Sequence, residues 1–102
     1  MAQSFAVRFD ANLWLVPGKG GWHMLNLPLQ LSAELKDKFS QQIAGWGRIR
    51  VKVQIADQHW QTSLFRDDSA SVFMLPVKAR VRRNLKLEVG ALCQVQLTLP
   101  ER

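Results

Sequence analysis

The chain has 102 residues, of which 47% are hydrophobic and 22% are charged. This composition is that of an ordinary globular protein and excludes a disordered chain. The length predicts one domain over residues 1–102, which can bury roughly two-thirds of the surface that the unfolded chain exposes. The 14 Lys and Arg residues against 8 Asp and Glu give a formal net charge of +6, which favours anionic partners.

Cysteine and hydropathy patterns restrict the chemistry and the compartment. Cys93 is the only cysteine, so an intrachain disulfide is excluded, and a structural zinc site would need ligands that the chain lacks. We expect no cofactor and no metal. Arg8 and Asp10 interrupt the apolar run that a signal peptide requires, and no apolar run approaches the roughly 18 residues of a membrane span. The sequence therefore predicts a cytoplasmic protein without a membrane partner.

The N-terminal part predicts a β-hairpin. Phe5, Val7 and Phe9 alternate with Ala6 and Arg8, which is typical of a half-buried strand. The strand runs on to "PGKGG", where one proline and three glycines mark a turn, and "WHMLNL" returns. A phosphate-binding loop is the alternative for the turn, but a Walker loop needs its lysine directly before Ser or Thr and a helix. A plain hairpin turn is favoured.

A helix is predicted after Pro28. Ser32 is placed to cap its start, and Gly45 with Gly47 to end it. Its apolar residues fall four apart, on one side of a single helix: Leu31, Leu35, Phe39 and Ile43. The next segment, "RIRVKVQI", alternates strictly and predicts a strand with its valines and isoleucines inward. "HWQTSLF" and "VFML" follow after two turns, which predicts a three-stranded meander.

The stretch "LPVKARVRRNLKLEVG" predicts a second short helix. Pro76 lacks an amide hydrogen and suits the first turn of a helix. Val77, Val81 and Leu85 then form an apolar stripe with the same four-residue spacing. The closing segment "LCQVQLTL" alternates and places Cys93 on the inward side, as a small core residue rather than a nucleophile.

The two halves of the chain share one plan. Each half has a strand that ends in Leu-Pro, then a short helix, glycine and a further strand. Offsets from proline to stripe differ between the halves, so the similarity is architectural. It predicts a mostly β fold, a small double-split β-barrel of about six strands with two short helices and approximate two-fold symmetry.

Several segments also carry a family resemblance. "WHMLNLP", "GWGRIRVKVQI", "WQTSLF" and "LPVKARVRR" occur in this order before a glycine-led strand. Over nearly the whole chain they resemble the family catalogued as domain of unknown function 1905. The resemblance implies a double-split barrel related to the swapped-hairpin fold of AbrB and MazE-type DNA-binding proteins. Those proteins carry an acidic residue after the late glycine, where this chain has Ala91. The family brings no established activity with it.

No catalytic constellation stands out in the sequence. The chain has two histidines, His23 and His59, each next to a tryptophan, and neither has a spaced carboxylate or cysteine partner. Asp67 and Asp68 could act as paired carboxylates, but within "RDDSAS" they are favoured as turn-stabilising residues. We therefore expect a protein that is not an enzyme.

The basic cluster is the best candidate site. Arginine recognises carboxylate or phosphate in bidentate fashion, and tryptophans at a barrel mouth can either pack or line a ligand site. We predict that Lys78, Arg82 and Arg83, near Trp60, bind a ligand. The alternative is a solvated basic face without a ligand. The other tryptophans considered for a ligand mouth are Trp14, Trp22 and Trp46.

Two functions follow from this cluster. The first is a non-catalytic binding or accessory domain for a small anionic ligand or a protein partner. The alternative is a DNA-binding regulator, by analogy with AbrB-like proteins, which would use a second basic row, Arg48, Arg50 and Lys52, beside the cluster. A helix of about two turns, rich in valine, is poorly suited to a major groove.

Overall fold

The computed structural model describes residues 3–18, 20–67 and 70–101. Within these residues the chain forms seven strands and three helices, and the fold is mostly β, as the sequence predicts. The strands are β1 (Gln3–Asn12), β2 (Trp14–Leu15), β3 (His23–Asn26), β4 (Arg48–Ile55), β5 (Gln58–Asp67), β6 (Val72–Pro76) and β7 (Leu92–Glu101). The helices are α1 (Leu29–Lys38), α2 (Ser40–Trp46) and α3 (Ala79–Leu85). Within the described part of the chain, none of them has the length and hydropathy of a membrane span.

One antiparallel sheet contains every strand, in the order β1-β7-β4-β5-β6-β3-β2. The strands at its two edges, β1 and β2, are consecutive in the chain and are separated only by Leu13. The sheet therefore curls until its edges meet at this residue, which gives a small barrel-like fold. Leu13 is 1% exposed, and its backbone bonds the loop before β7 through Ala91 O at 2.9 Å and Gly90 N at 2.7 Å. If β1 and β2 are counted as one interrupted strand, the sheet has six strands, which agrees with the number that the sequence predicts.

The predicted two-fold relation between the halves is visible in the strand pairing. When the Leu-Pro pair at residues 27–28 is aligned in sequence with the pair at residues 75–76, Asn26 aligns with Met74. These two residues are partners in the antiparallel β3–β6 register, so a local two-fold axis passes between them. The equivalent strands β4 and β7 also pair with each other antiparallel. The predicted meander is confirmed as well, since β4, β5 and β6 are successive neighbours.

The first helical segment differs from the single helix that the sequence predicts. Phe39 has φ −112° and ψ 28°, which ends α1 and starts α2 one residue later. Both Leu35 and Phe39 are buried, so the apolar stripe packs inward as expected even though the helix is broken. Gly47 ends α2 with φ 70°, in the left-handed conformation that glycine adopts readily.

The prediction that Ser32 caps this helix is wrong. Pro28 occupies the cap position, and its fixed φ of −56° starts α1 at Leu29, before Ser32 is reached. Ser32 is instead a buried residue of α1, 2% exposed, and its Oγ accepts a hydrogen bond from the Phe73 amide of β6 at 3.0 Å. The hydroxyl thus joins the helix to the sheet.

The start of the last helix is also displaced from its predicted place. Pro76 is the last residue of β6, and α3 begins at Ala79 with Lys78 as its cap residue. The strand continues through Pro76 because Val77 N donates to His23 O at 3.0 Å across the β3–β6 ladder. The predicted apolar stripe is confirmed at Val77 and Val81, which are both buried.

Replacing Leu13 with Ala should lower the free energy of unfolding by about 2–5 kcal/mol, since it empties a buried site where the sheet closes. The matched control is Leu15→Ala in β2, where the leucine is 44% exposed and the expected loss is below about 1 kcal/mol. Urea unfolding followed by circular dichroism measures both. Equal losses for the two variants would contradict closure of the sheet at Leu13.

Ser32→Ala should cost about 1–3 kcal/mol, because it leaves the Phe73 amide buried without its acceptor. Ser40→Ala, at an exposed position of α2, serves as the control and should change stability by no more than about 0.5 kcal/mol. Chemical denaturation gives both values. A neutral Ser32→Ala would show that water or another group replaces the hydroxyl.

Candidate ligand-binding cleft

A split between β5 and β6 forms one of the concave surfaces of the described chain. β5 pairs with β4 from Gln58 to Phe65, but with β6 only from Phe65 to Asp67. Continuing the β5–β6 register would place Pro76 opposite Ser63. The amide of Val77 bonds to β3. Because successive residues of a strand direct their backbone groups to opposite sides, the backbone of Pro76 faces β5. Pro76, however, has no amide hydrogen to donate. The ladder ends at Phe65–Met74, and the two strands separate.

An open cleft of about 360 Å³ lies along this split. Three parts of the chain contribute to it: the turn between β2 and β3, the middle of β5, and the segment from the end of β6 into α3. Its described lining residues are Gly20, Gly21, Trp22, His23, Trp60, Thr62, Phe65, Pro76, Val77, Lys78, Ala79 and Arg82.

Aromatic rings form the apolar side of the cleft. Trp22 remains 50% exposed, and its ring stands edge-on to Phe65 with centroids 6.5 Å apart and an interplanar angle of 83°. Trp60 is 6% exposed, and its buried Nε1 has no hydrogen-bond partner among the described residues. The rings therefore offer apolar surface to a ligand.

Arg82 supplies a fixed positive charge in the same cleft. Its Nε donates to Val77 O at 3.2 Å, and its Nη1 lies 3.5 Å from His23 Nε2. His23 Nδ1 is 2.7 Å from Gly21 O, a carbonyl that can only accept, so the proton of the neutral ring is on Nδ1. His23 Nε2 is then the acceptor for Arg82. These contacts hold the guanidinium in place and leave Nη2 without a partner among the described residues.

The charge of the cleft is uniformly positive. Lys78 adds a second cation at the rim, and the described lining contains neither Asp nor Glu. Among the described residues no carboxylate pairs with Arg82 or Lys78. An anion entering the cleft would therefore meet two unneutralised cations beside apolar rings, where water is partly excluded and charge interactions are strengthened.

The structure brings three of the four predicted site residues together. Lys78, Arg82 and Trp60 line the same cleft, whereas Arg83 is exposed on α3 and lies outside the lining. Arg83 follows Arg82 by one position, and adjacent residues of a helix do not share a face. Of the other tryptophans considered for a ligand mouth, Trp22 lines the cleft, Trp14 donates to Asn26 Oδ1 at 3.0 Å instead, and the side chain of Trp46 lies outside the described structure.

Sequence reasoning missed the contribution of the "PGKGG" turn. The predicted hairpin turn is present between β2 and β3, but Gly20 and Gly21 also line the cleft. Their φ angles of 61° and 83° lie in the left-handed region, which glycine adopts without strain. Lys19 lies outside the described residues. The sequence signal for this contribution was Trp22, which directly follows the glycines and is exposed in the structure.

The first half of the chain has a longer helical segment in the equivalent place. There α1 has 10 residues and α2 has 7, and Phe39 alone separates them. Phe39 at the junction packs on Phe5 of β1 with ring centroids 6.4 Å apart. In the second half α3 has only 7 residues. The shorter helix leaves the split between β5 and β6 accessible.

The remaining candidate residues are dispersed. Cys93 is 2% exposed, as its inward phase predicts, and burial raises the pKa of its thiol. His59 is exposed, and Asp67 ends β5, while Asp68 of the predicted turn lies outside the described residues. Within the described ranges no group of three or more His, Cys, Asp and Glu residues could hold a metal ion.

The second basic row lies elsewhere. Arg48, Arg50 and Lys52 are exposed on the outward face of β4 and do not line the cleft. On α3, Arg80 Nη2 donates to His59 O at 3.3 Å. The basic row on β4 and the basic cluster at α3 therefore lie on different parts of the surface.

Fold and cleft together define a small barrel-like β domain with an aromatic and cationic side cleft. The model of a known family, the domain of unknown function DUF1905, matches residues 9–97. Since this match covers most of the chain, the protein belongs to that family, and the resemblance drawn from the sequence is confirmed. No curated protein matches the chain.

The buried thiol gives a test of its environment. Because the pKa of Cys93 is raised in the folded protein, the unfolded thiol ionises first as the pH rises, so the unfolded state binds fewer protons and stability falls. Between about pH 7.5 and 9.5 the wild type should lose more unfolding free energy than Cys93→Ala. Urea titrations at each pH measure this. Parallel pH profiles would contradict a buried, protonated Cys93.

Proposed function

We propose that the protein is a non-catalytic binding domain whose cleft takes a small anionic ligand with an apolar, preferably aromatic, body. The observation that carries this proposal is the placement of Trp22 and Trp60 in one cleft with Arg82 and Lys78. Binding sites for small molecules typically combine an apolar lining with a few fixed polar groups. This cleft has an apolar lining and fixed polar groups, and its cations have the same sign as the net charge of the chain.

The geometry of Arg82 supports an anion as the charged part of the ligand. Val77 and His23 orient the guanidinium, so little side-chain freedom is lost when a ligand binds. A planar guanidinium with free N–H groups recognises carboxylate, sulfonate or phosphate oxygens through paired hydrogen bonds. Lys78 adds charge without comparable geometric restriction.

The described lining also favours binding over catalysis. Its hydroxyl belongs to Thr62 and its imidazole to His23, and that imidazole is engaged by Gly21 and Arg82. A nucleophile needs an adjacent base that is itself oriented for proton transfer. A ring whose Nε2 faces a guanidinium is poorly placed to accept a proton from Thr62.

The probe that matches the cleft is 8-anilinonaphthalene-1-sulfonate, an anion with an aromatic body. We expect the wild type to bind it with enhanced dye fluorescence, and Arg82→Gln to bind it roughly tenfold more weakly, because one charged hydrogen-bond pair is lost. Arg50→Gln is the matched control, since it removes the same charge from the outward face of β4. Circular dichroism verifies that both variants are folded. If both variants weakened dye binding equally, net charge alone would explain the effect, and this result would contradict the proposal.

The exposed row on β4 favours nucleic acid as a second candidate ligand. Arg48, Arg50 and Lys52 project from one strand with uncharged neighbours such as Gln61 and Thr98, which pair with Lys52. Such a row can contact phosphates without reading bases.

Anisotropy of a labelled random-sequence duplex and single strand, at several salt concentrations, tests this second candidate. If the row binds phosphates, affinity falls steeply with salt, and the double variant Arg50→Gln with Lys52→Gln loses more affinity than Arg82→Gln. No binding at low salt would remove nucleic acid from consideration.

A further inference from the structure

We propose that the protein binds single-stranded nucleic acid along a path that leads from the cleft across Phe65 to the basic row on β4. This inference rests on the proposed function, because it names a ligand class for the same cleft and extends the binding surface to the row. Three observations carry it: the strand register that joins the two basic regions at Phe65, the exposed ring of Trp22 beside Phe65, and cations whose described neighbours include no carboxylate.

The two basic regions meet at Phe65. In the β4–β5 ladder Phe65 is the direct partner of Arg48, and directly opposite residues of an antiparallel pair project from the same face with Cβ atoms about 5 Å apart. Phe65 also lines the cleft together with Arg82. One side chain thus adjoins both regions, and a flexible anionic chain that leaves the cleft over Phe65 reaches Arg48.

The basic row is arranged for contact with a repeating anion. Arg48, Arg50 and Lys52 are exposed alternate residues of β4, so successive cations are about 7 Å apart along the strand. This interval is comparable with the distance between successive phosphates of an extended single strand. The cross-strand partners that the two ladders give these cations carry no carboxylate: Phe65, Ser63, Gln61 and Thr98.

A shallow concavity of about 370 Å³ continues the path at the Lys52 end of the row. Its described lining contains neither Asp nor Glu, and it adds amide and hydroxyl groups, which form hydrogen bonds with phosphates and with base edges. The residues that supply these groups are Gln54, Gln61, Gln96 and Thr98.

The ring of Trp22 favours a single strand over a duplex. Trp22 is 50% exposed, and Phe65 supports its ring through the edge contact. A base of a single strand has a free face that can stack on an indole, whereas the bases of a duplex are already stacked on one another. A polyanion without bases, such as a sulfated polysaccharide, would gain nothing from the ring. Cations beside an exposed aromatic ring are the combination that proteins use to bind single strands.

The experiment compares fluorescein-labelled strands of about twelve nucleotides. The strands are oligothymidylate, oligouridylate, an abasic strand with the same phosphates, and a duplex of the same length. Fluorescence anisotropy with the full chain should show that the preferred base-bearing strand binds roughly tenfold or more tightly than the abasic strand, because the abasic strand cannot stack on Trp22. The duplex should also bind more weakly than the preferred strand. The comparison of thymidylate with uridylate identifies DNA or RNA as the ligand.

Four variants locate the path. Arg82→Gln and Arg50→Gln should each weaken binding of the preferred strand roughly fivefold or more, since each removes a phosphate contact. Trp22→Ala should bind this strand as weakly as the abasic strand, whereas Trp22→Phe, which keeps a ring, should retain most of the affinity. Arg8→Gln is the matched control: it removes the same charge from β1, on the far side of β7 from the row, and should bind like the wild type. Circular dichroism verifies that each variant is folded.

Equal affinity for base-bearing and abasic strands overturns the inference. It is also wrong if binding depends on Arg50 but on neither Arg82 nor Trp22, because the row alone would then contact phosphates. The proposed function fails separately. If anilinonaphthalene sulfonate binds through Arg82 while no strand binds, the cleft takes small anions and the nucleic-acid inference is wrong. If neither the sulfonate nor any strand binds, both proposals are wrong.

Discussion

The missing amide hydrogen of Pro76 is the constraint on which the cleft depends. Within an antiparallel ladder each strand must supply a donor at every second residue, and Pro76 cannot supply one toward β5. The β5–β6 pairing consequently stops at Phe65–Met74, while β6 continues along β3. One imino acid thus ends the pairing of two neighbouring strands, and the cleft lined by Trp60 and Arg82 lies along the gap.

The two halves of the molecule use the same plan for different purposes. Each has a Leu-Pro pair, and the local two-fold axis between Asn26 and Met74 relates them. In the first half a long helical segment packs Phe39 on Phe5 and contributes to the core. In the second half α3 is short and carries Arg82 to the cleft. Leu13 joins the sheet edges, so both halves belong to one curled sheet.

Local pattern was sufficient to predict most of the fold from the sequence. Alternation identified β4 because each inward residue, such as Val51, is buried while its neighbours Arg50 and Lys52 are exposed. Four-residue spacing identified the buried stripes at Leu35 and Val81. Helix boundaries were less predictable, because the prolines of the two Leu-Pro pairs serve different roles: Pro28 starts a helix, and Pro76 ends a strand. Ser32 was misassigned because its acceptor role needs Phe73, 41 residues away in sequence.

The candidate site was predictable only in part, for a related reason. Trp60, Lys78 and Arg82 could be selected because the basic cluster and the strand phase were visible in the sequence. Arg83 could not be separated from Arg82 without the position at which α3 begins. The split between β5 and β6 depends on two strand registers, which no local pattern encodes.

The most direct test of the account is a titration of the ¹⁵N-labelled protein with anilinonaphthalene sulfonate, followed through the assigned indole N–H signals. The account predicts that the signals of Trp22 and Trp60 shift together and saturate at the same dye concentration. The Trp14 signal, whose N–H is bonded to Asn26, should stay in place. A shift confined to Trp14, or no shift of Trp22 and Trp60 under conditions where the dye binds, would place the binding site outside the cleft.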